Sequence, residues 1–204
     1  MADDVTVLVE GGFDGLIFDC DGTLVDTASA HLRALQTALA FDGQIMGAEW
    51  YYPKAGLTPA ALLDQYERDI AVLAVPRAVL TARYSMAFHE SLEQMREVEL
   101  IASVARAWKG RVPMAVASNG QKGNVKASLR ATGLLELFDF VVAAEDVARG
   151  KPEPDVFLEA ARRMGVSAER CVVFEDSDEG LTAARLAGMD GRDIRKVFAP
   201  EWGR

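Results

Sequence analysis

Four short runs of apolar residues are separated by longer segments of mixed apolar and polar residues. They are "GLIFD" (15–19), "PMAVAS" (113–118), "FVVAA" (140–144) and "CVVFED" (171–176). Runs of this length are typical of buried β-strands. Helical patterns follow the first, second and fourth runs, and parallel neighbouring strands need such crossover connections. The pattern therefore predicts an α/β fold with a doubly wound parallel sheet, and "VTVLVE" (5–10) predicts an additional N-terminal strand.

Residues 28 to about 95 contain no comparable run and instead place apolar residues three or four positions apart. This spacing predicts amphipathic helices. The helical positions are Leu32, Leu35 and Leu39, then Leu62, Tyr66 and Ile70, then Leu80, Tyr84 and Phe88. Thr58–Pro59 and Val75–Pro76 mark two helix starts, because proline suits the first helical turn. We therefore predict a core formed by residues 1–27 and 96–204, and a helical cap at residues 28–95.

Carboxylates end two of the predicted strands. Asp19 and Asp21 end the first, and Glu175 and Asp176 end the last. Ligands of an open α/β sheet bind outside the carboxyl ends of the strands, so we expect these four side chains to converge. Crowded carboxylates raise one another's pKa unless a cation is present. Because Mg²⁺ prefers oxygen ligands and leaves room for water and phosphate, the sequence predicts a magnesium site.

Polar and basic groups accompany this predicted site. Ser118 and Asn119 end the strand "PMAVAS" at the mouth of a helix, where unpaired N–H groups and the helix dipole favour an anion. Lys151 lies between a glycine and two prolines in "RGKPEPDVF" (149–157). We interpret Ser118, Asn119 and Lys151 as phosphate-binding residues.

Composition excludes several other classes of function. The net charge is −9, from 22 Lys and Arg against 31 Asp and Glu, and no basic cluster could neutralise a nucleic acid. The two cysteines, Cys20 and Cys171, lack metal-ligand spacing, and the N-terminus is acidic where a signal peptide would be basic. No apolar stretch approaches the ~18 residues of a membrane span. These features indicate a reduced, cytoplasmic protein that acts at neither membranes nor nucleic acids, and an acidic surface favours a monomer.

Four segments together resemble the ordered motifs of the haloacid dehalogenase-like (HAD) hydrolase superfamily, in its β-phosphoglucomutase-like group with a helical cap. They are "DCDGTLVDT", "VASNG", "GKPEPDVF" and "VVFEDSDEG". The resemblance implies a Rossmann-like core in which Asp19 is the nucleophile and Asp21 the general acid and base. Ser118 and Lys151 complete the implied catalytic set. The implied metal ligands are Asp19, the backbone carbonyl of Asp21, and Asp176, with Glu175 adjacent or water-linked.

Further segments, among them "RRMGVSAERCVVFED", resemble small sugar-phosphate phosphatases of the fructose 1-phosphate type. His31 matches a histidine that the group carries at the cap entrance. Lys54, in "PKAGLTP" (53–59), lies where the cap presents a substrate-binding loop. The resemblance therefore implies a Mg²⁺-dependent phosphatase of a small phosphorylated metabolite, and we interpret His31 and Lys54 as substrate contacts.

Other interpretations of the same residues are open. A phosphosugar mutase would share the motifs, but the chain ends soon after a fifth strand near "MDGRDIRKV", and the cap has no obvious second lysine for a bisphosphate. A non-catalytic relative could bind a phosphorylated ligand. An EF-hand loop would need its glycine at position six, whereas Gly22 is at position four from Asp19. Ser118–Asn119–Gly120 could form only a helix cap, and His31 could be structural.

Overall fold

A five-stranded parallel sheet forms the centre of the molecule. The computed structural model describes residues 9, 11–55, 57 and 59–197. The strands of the sheet lie in the order β5–β4–β1–β6–β7. In chain order the strands are β1 (Gly15–Phe18), β2 (Val25–Asp26), β3 (Arg96–Glu97), β4 (Met114–Ala117), β5 (Phe140–Val142), β6 (Cys171–Glu175) and β7 (Asp190–Asp193). The predicted doubly wound α/β sheet is confirmed.

Eight α-helices occupy the described part of the chain. They are α1 (Ala28–Ala40), α2 (Ala48–Tyr51), α3 (Pro59–Asp69), α4 (Arg77–Glu90), α5 (Glu99–Trp108), α6 (Lys122–Ala131), α7 (Asp155–Met164) and α8 (Asp178–Leu186). The first four lie in the predicted cap, and the other four accompany the sheet.

Side chains of the central strands alternate between two apolar clusters. Leu16 and Phe18 of β1 pack in one cluster, and Ile17 packs in the other. This alternation follows from the two-residue period of a strand, and a strand buried on both faces reads as a continuous apolar run. The edge strand β7, with the sequence DGRD, is mostly exposed and carries no such signal.

The helices between residues 28 and 90 bury an apolar cluster of their own. Leu32, Leu39, Tyr66 and Leu80 are among its members, as the helical spacing predicts. One position differs, because α3 ends at Asp69 and Ile70 is 42% exposed. The exact bounds of the cap, at residues 28 and 95, stay a prediction.

The chain reaches and leaves this helical segment through two paired strands. β2 and β3 run antiparallel, with Val25 opposite Glu97 and Asp26 opposite Arg96. Two-residue strands have no periodicity, so sequence patterns miss them.

Several smaller predictions have separate outcomes. Cys20 and Cys171 are buried and free. α3 begins at Pro59, whereas Pro76 immediately precedes α4. Thr58 lies outside the described residues, as does the predicted strand at residues 5–10 apart from Val9, which is buried in a turn. Among the described helices, none is both long and apolar enough to cross a bilayer.

A partly buried carboxylate joins three segments at one edge of the sheet. Asp146 accepts hydrogen bonds from Lys122 Nζ of α6 at 2.7 Å and Arg163 Nη2 of α7 at 2.8 Å. Its other oxygen accepts a bond from the Ala143 amide at 3.0 Å, just after β5. Burial would raise the pKa of Asp146, but the bonds from Lys122 and Arg163 outweigh it and lower this pKa. The ionised carboxylate therefore stabilises the fold.

We predict that Asp146→Asn lowers the free energy of unfolding by about 1–3 kcal/mol at pH 7, because a charged hydrogen-bond acceptor is lost. The folded-state pKa lies below the unfolded value of about 3.9, so this stabilisation is complete above that value and declines as the pH falls below it. Urea unfolding at pH 7 and at lower pH measures both effects, and the difference between the two proteins should shrink in acid.

The matched control is Asp64→Asn, which removes a carboxylate that is half exposed beside Arg77. Surface substitutions of this kind change stability by at most about 0.5 kcal/mol. Equal losses from the two variants would contradict the structural role of Asp146.

Candidate active site

The carboxyl ends of β1, β4 and β6 meet in a cleft that is also lined by residues of α1, α2, α3 and α4. The cleft has a volume of about 120 Å³. Most of the sequence-predicted site residues line it, namely Asp19, Asp21, His31, Ser118, Asn119, Lys151, Glu175 and Asp176. Both Asp19 and Asp21 lie after β1 rather than within it, because the strand ends at Phe18.

Lys151 is buried between two carboxylates. Its Nζ lies 2.5 Å from Asp19 Oδ1 and 2.5 Å from Glu175 Oε1, and all three residues are buried. Burial alone would lower the pKa of Lys151, but Asp19 and Glu175 outweigh it and raise this pKa above its usual value. The lysine is therefore a permanent cation at the base of the cleft.

Asn119 positions the lysine through the backbone. The Lys151 amide donates to Asn119 Oδ1 at 2.7 Å, and Asn119 Nδ2 donates to the Lys151 carbonyl at 3.2 Å. Both ends of the Asn119 side chain are thus engaged by Lys151. This arrangement supports a positioning role for the Asn119 side chain, and the predicted contact of Asn119 with phosphate stays a prediction.

Glu175 is held in place at the start of α8. Its Oε2 accepts hydrogen bonds from the amides of Asp176 and Ser177 and from Ser177 Oγ, each at 2.9 Å. A Cβ atom at Gly180 would lie 1.9 Å from this carboxylate, so the position requires glycine. With Oε2 fully bonded, Glu175 presents Oε1 to Lys151.

Asp19, Glu175 and Asp176 form an oxygen-rich cluster. One carboxylate oxygen from each residue lies within 4.8 Å of the others. Burial, together with the neighbouring carboxylates, raises the pKa of Asp19 well above its usual value despite Lys151, and burial and Glu175 raise the pKa of Asp176 to about 7. A divalent cation would offset both effects. The donor set, carboxylate oxygens with no nitrogen or sulfur, fits Mg²⁺.

The turn after β1 fixes Asp176 in this cluster. Thr23 Oγ1 donates to Asp176 Oδ1 at 3.0 Å. Gly22 has a φ of +90°, and a Cβ there would lie 2.3 Å from Asp176 Oδ2. Thr23 was not predicted as a site residue, although its hydroxyl stands two positions from Asp21.

Asp21 lies outside the cluster of Asp19, Glu175 and Asp176 and has different partners. Thr27 Oγ1 donates to Asp21 Oδ1 at 2.8 Å, and His31 Nε2 lies 3.0 Å from the same oxygen. Ser118 Oγ donates to Oδ2 at 3.3 Å. Burial would raise the pKa of Asp21, but the charge and hydrogen bond of His31 and the two hydroxyl groups outweigh it and lower this pKa. The pKa of Asp21 is therefore set by partners other than those of the neighbouring cluster.

The partners of Asp21 extend into the cap. His31 on α1 bonds Tyr84 OH of α4 through Nδ1 at 2.5 Å and stacks on Phe88 with 4.6 Å between ring centroids. Sequence periodicity assigned Tyr84 to the apolar face of a helix and gave no sign that its hydroxyl faces the cleft. Thr27 was also missed, although it precedes α1 within the first motif.

Lys54 is the candidate substrate residue that the structure does not bring to the site. Its Nζ donates to the Trp50 carbonyl at 3.1 Å and lies 4.5 Å from the centre of the Trp50 ring. Lys54 is absent from the described residues that line the cleft. The short helical turn at Tyr52–Lys54 directs it toward Trp50 instead.

Comparisons with known proteins agree with this geometry. The family model for haloacid dehalogenase-like hydrolase matches residues 13–188. The chain is 40% identical over 188 residues to the fructose-1-phosphate phosphatase YqaB of Escherichia coli, covering 90% of this chain and 97% of that protein.

Solved structures of CbbY from Rhodobacter sphaeroides share the fold. The complex with phosphate has a TM-score of 0.81 and 29% identity, and a mutant in complex with xylulose-(1,5)bisphosphate has a TM-score of 0.80 and 28% identity. Each match covers 88% of this chain and 84% of the other. This chain therefore belongs to the haloacid dehalogenase-like hydrolase family and is an enzyme of its phosphatase type.

Proposed function

We propose that the protein is a Mg²⁺-dependent phosphatase that hydrolyses a small sugar phosphate through an aspartyl-phosphate intermediate on Asp19. The observation that carries this proposal is the buried ion pair of Asp19 with Lys151, located beside Asp176 and open to a cleft that also contains Asp21 and Ser118. Phosphoryl transfer depends on positioning and charge neutralisation, and this set of side chains supplies both.

Asp19 is the proposed nucleophile. Its Oδ1 bonds Lys151, and its carboxylate lines the cleft. In the first step, a carboxylate oxygen of Asp19 forms a bond to phosphorus while the bond from phosphorus to the alcohol oxygen breaks. Lys151 then lies next to the transferred group and neutralises part of its negative charge. Ser118 Oγ accepts a bond from the Gly120 amide at 2.9 Å, and its proton, which goes to Asp21 in the ligand-free protein, would turn to a phosphoryl oxygen when substrate binds.

Asp21 is the proposed acid and base. It gives a proton to the leaving alcohol oxygen in the first step and takes one from the attacking water in the second, when the bond between phosphorus and Asp19 breaks. The lowered pKa of Asp21 in the ligand-free protein favours the base form. An incoming phosphate dianion raises this pKa by charge repulsion and favours the acid form that the first step needs.

Asp19 and Asp176 supply oxygen atoms that would hold Mg²⁺, together with the backbone carbonyl of Asp21 that the family resemblance implies, and Glu175 would be adjacent or linked through water. The ion would neutralise phosphoryl charge during transfer. The three carboxylates are preorganised by Lys151, Thr23 and the Ser177 backbone amide.

Two observations support a small sugar phosphate as substrate. The cleft, of about 120 Å³, is small beside the roughly 300–1,000 Å³ of typical ligand pockets. The Escherichia coli relative acts on fructose 1-phosphate, as its name states. Residues 28–95 would then act as a cap that shapes the pocket. The monomeric state and the cytoplasmic location stay predictions.

We predict that Asp19→Asn lowers kcat for sugar-phosphate hydrolysis by about 10³-fold or more, because the amide is a poor nucleophile. Phosphate release measures the loss, and circular dichroism shows whether the fold is retained. The matched control is Asp14→Asn, at the other end of the same strand, where the side chain is 59% exposed and pairs with Arg170. Hydrolysis by Asp19→Asn at the wild-type rate, or accumulation of an isomerised sugar phosphate by the wild type, would contradict the proposal.

We predict that Asp21→Asn, given 4-nitrophenyl phosphate, releases about one nitrophenolate per enzyme and then stops. This leaving group needs no proton, so the first step proceeds, whereas the second lacks the base that activates water. Stopped-flow absorbance measures the burst, and acid quenching followed by mass spectrometry detects phosphorylated Asp19. The control Asp19→Asn should show no burst. Continuous turnover by Asp21→Asn at the wild-type rate would exclude Asp21 as the base.

We predict that EDTA abolishes phosphate release, that Mg²⁺ restores it, and that Mg²⁺ raises the Tm of the wild type, since a bound cation stabilises the native state. Asp176→Asn should need at least about tenfold more Mg²⁺ for half-maximal activity. The control is Asp178→Asn, two residues further along the chain, where the side chain is 85% exposed and pairs with Arg195. Full activity after exhaustive chelation would refute the metal requirement.

A further inference from the structure

The cleft has two chemically distinct halves. The inner half contains the carboxylates, Lys151 and Ser118. The outer half, formed by the cap, is mostly hydrocarbon. Its leucine side chains are Leu35, Leu57, Leu62, Leu63 and Leu80. Once the phosphoryl group occupies the inner half, the rest of the substrate must lie against these leucines.

Neutral hydroxyl groups provide polar contacts in the outer half, beside the imidazole of His31. Tyr51, Thr81 and Tyr84 line it beside the leucines. Burial and the charge of Asp21 raise the pKa of Tyr51 and of Tyr84 above the usual value, so both hydroxyls remain protonated. A hydroxyl group can donate and accept hydrogen bonds, which suits the alcohol groups of a sugar but does not balance a negative charge.

Among the residues that the structure describes, the cations nearest to this half already have partners. Each lies on the cap or at the adjoining rim and is bonded to a carboxylate or a carbonyl. The pairs are Lys54 with the Trp50 carbonyl, Arg77 with Asp64 and Glu67, Arg83 with Asp42, and Arg195 with Asp178 and Asp193. Arg195 lies in a groove beside the cleft that also contains Asp176, Asp178 and Glu179, so this groove repels a second anion.

We propose, resting on the phosphatase function proposed above, that the cleft selects phosphate monoesters whose leaving alcohol carries no charge, and that it rejects esters with a second phosphate. A second phosphate in the outer half would lose its hydration against the leucines. It would meet neutral hydroxyl groups and the imidazole of His31, which is already bonded to Asp21 and Tyr84. A neutral sugar places its C–H surfaces on the leucines and its alcohol groups on the three hydroxyls. The selectivity for esters of uncharged alcohols therefore comes from the cap. It would distinguish this protein from CbbY, a mutant of which has been solved in complex with a bisphosphate.

The test compares fructose 1-phosphate, fructose 1,6-bisphosphate and phenyl phosphate as substrates of the Mg²⁺-loaded wild type. The two sugars differ by a phosphate at the far end, and phenyl phosphate has a small uncharged leaving group. We expect kcat/KM for both neutral esters to exceed that for the bisphosphate by about 50-fold or more, since an unpaired buried charge is strongly unfavourable. Released phosphate and the remaining sugar phosphate are both measured.

Thr81→Lys tests the cause of the selectivity. Thr81 lines the cleft from α4 and is half-buried, so a lysine there adds a cation to the outer half. We expect this variant to reduce the ratio of kcat/KM for fructose 1-phosphate to kcat/KM for fructose 1,6-bisphosphate by at least about tenfold. The matched control is Ala82→Lys, which adds the same charge at the next, exposed position. It should leave the ratio of the two kcat/KM values unchanged. Circular dichroism verifies that each variant is folded.

The outcomes separate the inference from the function on which it rests. Equal kcat/KM for the two sugars, with phenyl phosphate hydrolysed, overturns the selectivity and leaves the phosphatase function intact. Equal effects of Thr81→Lys and Ala82→Lys exclude the outer half of the cleft as its source. No phosphate release from any of the three esters overturns the proposed function and the selectivity together.

Discussion

The sharing of one buried ammonium group by two carboxylates is the interaction on which the rest of this site depends. Lys151 Nζ contacts Asp19 and Glu175 at the same short distance, 2.5 Å, and all three side chains are almost fully buried. Removing one partner of such a group leaves an unpaired buried charge and is strongly destabilising. The surrounding contacts keep it intact, since Asn119 fixes the Lys151 backbone and the start of α8 fixes Glu175.

The same arrangement explains why the carboxylates of the site have pKa values shifted in opposite directions. Asp19 is buried and Asp176 partly buried near other anions, and this desolvation raises the pKa of each. Asp21 lies only two residues from Asp19, but it is bonded to Thr27, His31 and Ser118, which lower its pKa. Neighbouring carboxylates with opposite pKa shifts can perform different tasks, one as a nucleophile and one as an acid and base.

Sequence patterns could predict the sheet and the convergence of its strand ends, because apolar runs and their terminal residues are local signals. The same patterns could not predict contacts that depend on how distant segments meet. Tyr84 fits the apolar face of its helix, yet its hydroxyl reaches His31. Lys54 has a suitable position in the sequence, but a helical turn directs it to Trp50. Asn119 matches a phosphate ligand by position, and only the structure reveals that its amide is engaged by the Lys151 backbone.

The antiparallel pairing of β2 with β3 brings the two ends of the helical segment close together. Val25 and Glu97 are directly opposite, so the two ends of the insertion lie roughly 5 Å apart. Any other segment whose own termini are this close could be grafted between these strands without changing the register of the sheet. A family in which such a strand pair connects the two segments can acquire new substrate pockets by recombination, while the sheet and its catalytic residues are inherited unchanged.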